Sequence, residues 1–191
     1  MSTWPLTDYE LQRGGTVDRP QLLRFVHQTY AELYPDMPRS HLEPMVGQYL
    51  TTDTPLWWVV PSAILPTETT SPRPPAPSGL PQGGGTRRWR SPIAGLWVGT
   101  SRHQGSGAQQ GYIFLLYVHP EHRRRGIGTA LMRQAETWAQ SAGYGQIALQ
   151  VFTANRPAYH LYEMLGYQPE SMLMVKDLNP DPTSEGAEFT T

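Results

Sequence analysis

Residues 118–131, VHPEHRRRGIGTAL, decide what this chain folds around and what it can bind. They begin on the last residue of the apolar run 112–118 (YIFLLYV), which predicts a buried strand, and lead into a helix from about Gly126. Backbone amides at the start of a helix bind anions, and three successive arginines add charge-assisted hydrogen bonds. The stretch therefore predicts a phosphate site. A solvated run of charges before an ordinary turn is the plainer alternative.

The spacing of the glycines excludes two common nucleotide sites. A dinucleotide fingerprint has its first glycine directly after a strand and a third glycine further along the helix. Here seven residues separate the strand from Gly126, and Leu131 stands at the third glycine position. A P-loop needs a lysine after its last glycine, and the only lysine of the chain is Lys176. The predicted phosphate therefore belongs to a different class of ligand.

Composition limits the classes of function. The chain has 191 residues, a formal net charge of −1 and no cysteine. This size suits one domain, and the charge gives no reason to expect nucleic acid or a membrane surface as a partner. The lack of cysteine excludes disulfides, thiolate zinc sites and an acyl-thioester enzyme, and no metal site is predicted. Residues 55–65 are too short to span a bilayer and residues 1–10 lack a secretion signal, so we expect a cytoplasmic protein.

Hydrophobic periodicity predicts the elements of the N-terminal half. Strands are predicted over 9–13 and 56–60, with two helices between them, over 18–34 and from about residue 40. Asp18 and Gln21 would begin the first helix as a capping box. Residues 62–90 are rich in proline, glycine, serine and threonine, which predicts a flexible insertion.

The C-terminal half is predicted to alternate strands and helices. Its elements are a hairpin of strands 92–101 and 112–118, a helix closed by Gly143, a strand over 147–152, a helix begun by Asn155 and closed by Gly166, and one or two last strands over 167–178. A strand, a long helix and a strand form a right-handed crossover, so strands 112–118 and 147–152 should be parallel neighbours in a mixed sheet. Residues 179–191 predict a disordered tail.

Two motifs of this half resemble the GNAT superfamily of N-acetyltransferases. Arg123-x-x-Gly126-x-Gly128, after Val118-His119-Pro120, is similar to the family's acyl-CoA pyrophosphate motif. Residues 155–167 (NRPAYHLYEMLGY) are similar to its second motif, at the expected separation. The resemblance is clear over 112–178 and thinner toward the N-terminus. It implies a single acyltransferase domain over 1–178 with an α/β (α+β) fold: a mixed, mostly antiparallel central sheet of six to seven strands, about four helices, and a splayed parallel strand pair.

The resemblance also implies a co-substrate, acetyl-CoA, and residues that hold it without a metal. The pantetheine arm would lie along main-chain groups of Leu116 and Val118, and the pyrophosphate on the loop amides. The implied binding residues are Leu116, Val118, Arg123, Arg124, Arg125, Gly126, Ile127, Gly128, Thr129 and Asn155. Which arginine pairs with phosphate is left open. Asn155 also fits a plain helix N-cap.

Tyr162 is the catalytic candidate that the second motif implies. A tyrosine at this position would donate a proton or a hydrogen bond to the departing CoA thiolate. A phenol with a pKa near 10 stays protonated at neutral pH and so suits a thiol near 8.5. The alternative is an aromatic core residue beside Leu161 and Leu165.

The strand before the pyrophosphate loop carries no carboxylate to deprotonate an amine. A lysine-like amine costs about 4.6 kcal/mol to deprotonate at pH 7, and an α-amine costs about 1.1 kcal/mol. We therefore expect a small-molecule or peptide acceptor with a low-pKa amine. The candidate bases are Tyr112, His103, Glu32, Asp36 and His41, and the candidate acceptor residues are Tyr30, Tyr34, Asp36, Glu43 and Glu170.

The predicted function is N-acetyl transfer by direct attack of an amine in a ternary complex. The alternative is an acyl-CoA-binding sensor of the same fold without transferase activity. Residues 87–90 (RRWR), at the end of the insertion, are a further hypothesis for contacts to the CoA adenine or ribose phosphate. The oligomeric state is left open, with a homodimer as one option.

Overall fold

The structure is a computed structural model and describes residues 4–62, 90–176 and 178. In chain order the elements are β1 (Tyr9–Gly14), α1 (Arg19–Leu33), α2 (Leu42–Tyr49), β2 (Leu56–Pro61), β3 (Ala94–Arg102), β4 (Gln109–Val118), α3 (Ile127–Ser141), β5 (Ile147–Leu149) and α4 (Arg156–Met164). Single 3₁₀ turns cover Thr16–Asp18 and Pro120–His122. The predicted insertion 62–90, except its two end residues, and the predicted tail 179–191 lie outside the described residues. No helix in the described ranges is long and apolar enough to cross a membrane.

The described strands form one mixed sheet in the order β1-β2-β3-β4-β5. All neighbours are antiparallel except β4 and β5, which are parallel and joined through α3. The mixed sheet, the parallel pair and the four α-helices are confirmed. The predicted number of six to seven strands is wrong, because the described part of the chain forms five.

The missing strands are those predicted over 167–178. This segment has strand-forming composition, yet Met172, Leu173, Met174 and Val175 are 78–86% exposed and pair with no strand. A strand exists only where a neighbour supplies backbone hydrogen bonds. The nearest edge, β5, is three residues long and offers little to pair with.

Helices cover both faces of the sheet. On one face, which we call the α1 face, Leu22, Phe25 and Val26 of α1 and Leu42 and Val46 of α2 pack on the sheet. On the other, the α3 face, Ile127, Leu131, Met132 and Ala135 of α3 do so. Leu161, Tyr162 and Leu165 of α4 add to the α3 face. Each helix buries one apolar stripe, as the sequence periodicity predicts.

The β4 strand contains a bulge at Phe114. Trp97 of β3 lies opposite Leu115 and Val98 lies opposite Ile113, so Phe114 has no partner. Phe114 and Leu115 both pack on the α1 face, although successive residues of a regular strand point to opposite faces. The pairing of β4 with β5 ends at Ile113, one residue before the bulge.

The helix ends follow the sequence with one exception. Asn155 Oδ1 accepts a hydrogen bond from the Ala158 N–H at 3.3 Å, so the predicted N-cap is confirmed. The capping box at Asp18 is wrong, because its carboxylate accepts from the Gly15 N–H at 2.9 Å and caps no amide of α1. The carboxylate instead bonds to the residue before the 3₁₀ turn Thr16–Asp18, which directly precedes α1.

Gly99 tests the packing around the bulge. A Cβ at Gly99 would lie 2.6 Å from the Phe114 ring, so Gly99→Ala must displace the ring or the strand. Overpacking of this kind costs about 1–3 kcal/mol, which lowers Tm by roughly 2–12 °C in a domain of this size. Gly145→Ala is the control, since nothing lies within 4 Å of its added Cβ. Thermal unfolding of both variants measures the difference, and equal Tm values would contradict the described packing.

Candidate functional site

Beyond the bulge, the outer edge of β4 is open. His119 N donates to Ile93 O at 2.8 Å, which fixes the alternation of hydrogen-bonded pairs between β3 and β4. Leu116 and Val118 stand at the alternate positions, opposite Leu96 and Ala94. Their N–H and C=O groups therefore point away from β3. They face the space between β4 and residues 150–152, which we call the β4–β5 gap.

At the end of this edge, the first turn of α3 offers three unbonded amides. The first hydrogen bond of the helix runs from Ala130 N to Gly126 O at 3.0 Å, so the N–H groups of Ile127, Gly128 and Thr129 have no helical acceptor. Gly126 has a φ of 78°, a left-handed conformation that favours glycine. Together with the helix dipole, these amides form an anion site.

Arg123, the first of the three arginines, is engaged by the protein. Its Nε donates to the Val118 carbonyl at 2.9 Å, and Nη2 pairs with Glu32 of α1 at 2.6 Å. The second oxygen of Glu32 accepts a 3.5 Å hydrogen bond from the Tyr117 hydroxyl. The guanidinium thus connects the loop to α1.

Arg125 is engaged on the other side of the loop. Its Nη1 donates to the Tyr9 hydroxyl at 3.2 Å, and that hydroxyl lies 3.1 Å from His122 Nδ1. Burial first, and then the charge of Arg125, lower the pKa of His122. A neutral His122 can accept the hydrogen of the Tyr9 hydroxyl at Nδ1. Arg125 Nη1 then donates to the Tyr9 hydroxyl, and that hydroxyl donates to His122.

Arg124 differs from both neighbours. It is exposed, it has a left-handed φ of 62°, and among the described residues it has no hydrogen-bond or ion-pair partner. A left-handed conformation costs a residue with a Cβ about 1–2 kcal/mol. Such strain is found where a functional loop requires it. Of the three arginines, Arg124 is the one whose guanidinium has no described partner at all, so all of its N–H groups are available to a ligand.

Tyr162 lies on the α3 face, on the same side of the sheet as the anion site. A Cβ at Gly128 would lie 3.1 Å from Leu161, so α4 packs directly on the first turn of α3. Tyr162 packs on the same core as Leu116 and Val118. Its hydroxyl bonds to no described group, and burial raises the pKa of Tyr162 to about 12. The structure thus places Tyr162 on a helix that packs against the anion site at the start of α3.

Half-exposed aromatic rings occupy the α1 face beside the gap, and we call them the aromatic cluster: Tyr30, Tyr34, Tyr49, Tyr112, Phe114 and Phe152. Phe152 lies 4.9 Å from the Tyr34 ring and 6.1 Å from the Tyr30 ring. Phe114 lies 5.2 Å from both Tyr112 and Tyr49. Burial, followed by neighbouring tyrosines, raises the pKa of Tyr30 and of Tyr112, so both phenols stay neutral.

The structure separates the five candidate bases. His103 bonds to Glu170 at the hairpin turn, roughly 17 Å along β4 from the bulge at 3.4 Å per residue. Both oxygens of Glu32 are taken by Arg123 and Tyr117. The raised pKa of Tyr112 disfavours its phenolate. Asp36 is exposed, and the His41 ring lies 5.7 Å from that of Tyr30, at the aromatic cluster.

The candidate acceptor residues are likewise divided. Tyr30 and Tyr34 lie together in the aromatic cluster. Glu43 pairs with Arg19 at 3.7 Å, and Glu170 pairs with His103 at the far end of β4. These two carboxylates do not join the tyrosines. Asn155 caps α4, and its N–H donates to Phe152 O at 2.9 Å, which places it beside the gap.

Sequence reasoning missed four residues of this region: Tyr9, His122, Phe114 and Phe152. The first two lie far apart in the chain and belong to no motif. Phe114 lies in an unbroken apolar run. A bulge can be read from a sequence only where it interrupts an alternation of apolar and polar residues, and this run has none. Phe152 lies three residues before Asn155, and its position in the second motif's lead-in was the only available signal.

Comparison with known proteins gives a consistent result. The acetyltransferase (GNAT) family matches residues 84–167. Streptothricin acetyltransferase of Streptomyces lavendulae is 44% identical over 50 residues, which cover 26% of each chain. Aminoglycoside N(6')-acetyltransferase type 1 of Acinetobacter haemolyticus is 36% identical over 58 residues, covering 30% of this chain and 40% of the relative. This chain thus covers less than two thirds of the length of these relatives.

Solved structures extend the likeness over the described fold. A protein from Pyrococcus furiosus superposes with a TM-score of 0.63 at 19% identity, covering 89% of this chain and 99% of the other. An aminoglycoside 6'-N-acetyltransferase from Acinetobacter haemolyticus superposes with a TM-score of 0.55 at 19% identity, covering 90% and 99%. At this identity the likeness concerns the fold alone.

Proposed function

We propose that this chain, whose residues 84–167 match the acetyltransferase (GNAT) family, transfers an acetyl group from acetyl-CoA to a primary amine of a small molecule or peptide. One observation carries the proposal. The open edge of β4 at Leu116 and Val118 runs directly to three unbonded amides at the start of α3. An extended ligand that ends in a pyrophosphate matches this arrangement, because its arm can bond to the strand edge and its phosphates to the helix amides.

The donor would be held mainly by main-chain groups. The pantetheine arm would take the place of a strand along β4 and bond to both groups of Leu116 and to the Val118 N–H. The Val118 carbonyl already accepts from Arg123. The pyrophosphate oxygens would accept hydrogen bonds from the N–H groups of residues 127–129 and from the guanidinium of Arg124. Asn155 would flank the arm while it caps α4.

Transfer would proceed by direct attack in a ternary complex. The amine nitrogen bonds to the thioester carbon, the carbon–sulfur bond breaks, and the thiolate leaves with its electron pair. One amine proton is lost, and one proton is finally gained by sulfur. The chain has no cysteine to carry the acetyl group as a thioester, which fits a direct transfer.

Tyr162 would serve the thiolate as a hydrogen-bond donor. With a phenol pKa of about 12 and a thiol pKa near 8.5, full proton transfer to sulfur is uphill by roughly 5 kcal/mol. A hydrogen bond that strengthens as charge develops on sulfur requires no such transfer. Solvent can then protonate the thiolate after it leaves the gap.

His41 is the base that the geometry favours. Its imidazole lies at the aromatic cluster, whereas Glu32 is engaged and His103 lies at the far end of β4. An α-amine or another low-pKa amine costs the least to deprotonate, about 1.1 kcal/mol at pH 7. A single imidazole, acting directly or through water, is sufficient for that.

An acyl-CoA sensor without transferase activity is the second candidate. It is favoured by the absence of a carboxylate on β4 beside the gap. Thiol release from acetyl-CoA in the presence of a mixed panel of primary amines separates the two functions. Saturable CoA binding with no thiol release on any amine would support the sensor. No CoA binding would contradict both.

Arg124 is expected to contribute more to CoA binding than its neighbours. Arg124→Gln removes a charge-assisted bond to phosphate worth about 1.5–3 kcal/mol and should raise Kd for CoA roughly 10- to 100-fold. Calorimetric titration with CoA measures the change. Arg133→Gln is the matched control, since it removes one exposed arginine of α3, beyond its first turn. Equal Kd values for the two variants would place the phosphate elsewhere.

Tyr162→Phe should lower kcat by about 10- to 100-fold and leave the KM for acetyl-CoA nearly unchanged. The protonated phenol is the active form, and its pKa of about 12 keeps it protonated up to about pH 11. The ratio of wild-type to variant kcat should therefore stay constant from about pH 7 to about pH 10. Tyr159→Phe, on the same helix, is the control. A ratio that falls toward one over this range would contradict the assignment.

A further inference from the structure

The aromatic cluster stands on one side of the gap and Tyr162 on the other. Tyr112 and Phe114 belong to β4, Phe152 follows β5, and their rings pack toward the α1 face with Tyr30. Tyr162 packs on the α3 face. A thioester held in the gap would have Tyr162 on the leaving-group side. The amine must then approach from the α1 face, across the aromatic cluster.

The cluster is built to contact a ligand and not only to fill the core. All of its rings remain partly exposed, while the core beneath them, such as Trp97, is fully buried. The hydroxyls of Tyr30, Tyr34, Tyr49 and Tyr112 bond to no described protein group. Burial raises the pKa of Tyr30 and of Tyr112, so these phenols offer neutral donors and ring faces. Ring faces attract flat apolar groups and single cations.

The carboxylates that a polycation would need are committed elsewhere. Glu32 is paired with Arg123, Glu43 with Arg19, and Glu170 with His103. Of Glu32, Asp36, Glu43 and Glu170, Asp36 alone has no described partner, and its side chain is exposed to solvent. Each charge of a polyamine that loses water needs a compensating group. In the described part of the chain, the aromatic cluster does not provide several unpaired carboxylates to compensate such charges.

We propose that the acceptor is an amine with an aromatic or other flat apolar group and no more than one positive charge, held by the aromatic cluster. This deepens the proposed function and rests on it. The body of the acceptor packs on Phe152, Tyr34 and Tyr30, and its amine points past Tyr112 into the gap. Polycationic amines, aminoglycosides among them, are poor acceptors for this site.

Amino acid amides test the proposal, because they share one α-amine and differ only in the side chain. Thiol release is measured with phenylalanine amide, leucine amide, lysine amide and kanamycin under the same conditions. Phenylalanine amide should show a kcat/KM at least about tenfold above those of lysine amide and kanamycin, and severalfold above leucine amide. A kcat/KM for kanamycin or lysine amide equal to or above that of phenylalanine amide overturns the proposal.

Phe152→Leu keeps an apolar side chain and removes the ring. It should raise the KM for phenylalanine amide about 2- to 10-fold, as expected for one lost aromatic pair, and change that for leucine amide less than twofold. Tyr144→Leu is the matched control, since it removes a ring that packs 5.7 Å from Trp138 near the C-terminal end of α3. Equal effects of Phe152→Leu on both amides would indicate a structural role and overturn the proposal.

Direct binding separates this proposal from the proposed function. Calorimetric titration of the CoA-bound protein with phenylalanine amide needs no turnover. Saturable binding that Phe152→Leu weakens, together with no thiol release, would refute acetyl transfer and support the acceptor site. Thiol release with other amines, together with no saturable binding of phenylalanine amide, would support acetyl transfer and overturn the acceptor class.

Discussion

One unpaired residue in β4 sets the geometry on which the rest of the site depends. Phe114 has no opposite residue in β3, and the pairing of β4 with β5 stops at the residue before it. A bulge bends its strand and increases the local twist, so the two parallel strands cannot stay in register beyond it. The main-chain groups of Leu116 and Val118 are then left on an open edge inside the fold. Such an edge is a template for an extended ligand.

In the loop beyond this edge, one of the three arginines is neutralised by a described carboxylate and one has no described partner. Three adjacent arginines would repel one another and any fourth cation nearby. Glu32 neutralises Arg123, and Tyr9 separates Arg125 from His122, whose lowered pKa keeps it uncharged. Arg124 is left exposed in a strained left-handed conformation. An anion that reaches the amides of α3 therefore meets the guanidinium of Arg124, which has no described hydrogen-bond or ion-pair partner.

Much of this arrangement could be predicted from local sequence and some could not. The helices, the parallel pair and the amide site follow from periodicity and from the spacing of Gly126 and Gly128, which act within a few residues. The bulge could not be predicted, because an unbroken apolar run is compatible with a regular strand. The strands expected over 167–178 had the right composition, but strand formation requires an edge to pair with, which no local pattern reveals. The three arginines are adjacent in sequence, and their different contacts depend on Glu32, on Tyr9 and on the left-handed conformation of Arg124, which no local pattern reveals.

The same contrast between local sequence and long-range packing applies to the proposed donor and acceptor halves of the site. The proposed donor half consists mainly of main-chain groups, which any sequence supplies once the bulge and the left-handed Gly126 are in place. A short motif is therefore enough to identify it. The acceptor half consists of side chains from α1, β4 and the segment after β5, brought together only by the fold. Its chemistry depends on which carboxylates are already paired. A short sequence motif can thus indicate the proposed donor, while the acceptor must be inferred from the packing of each chain.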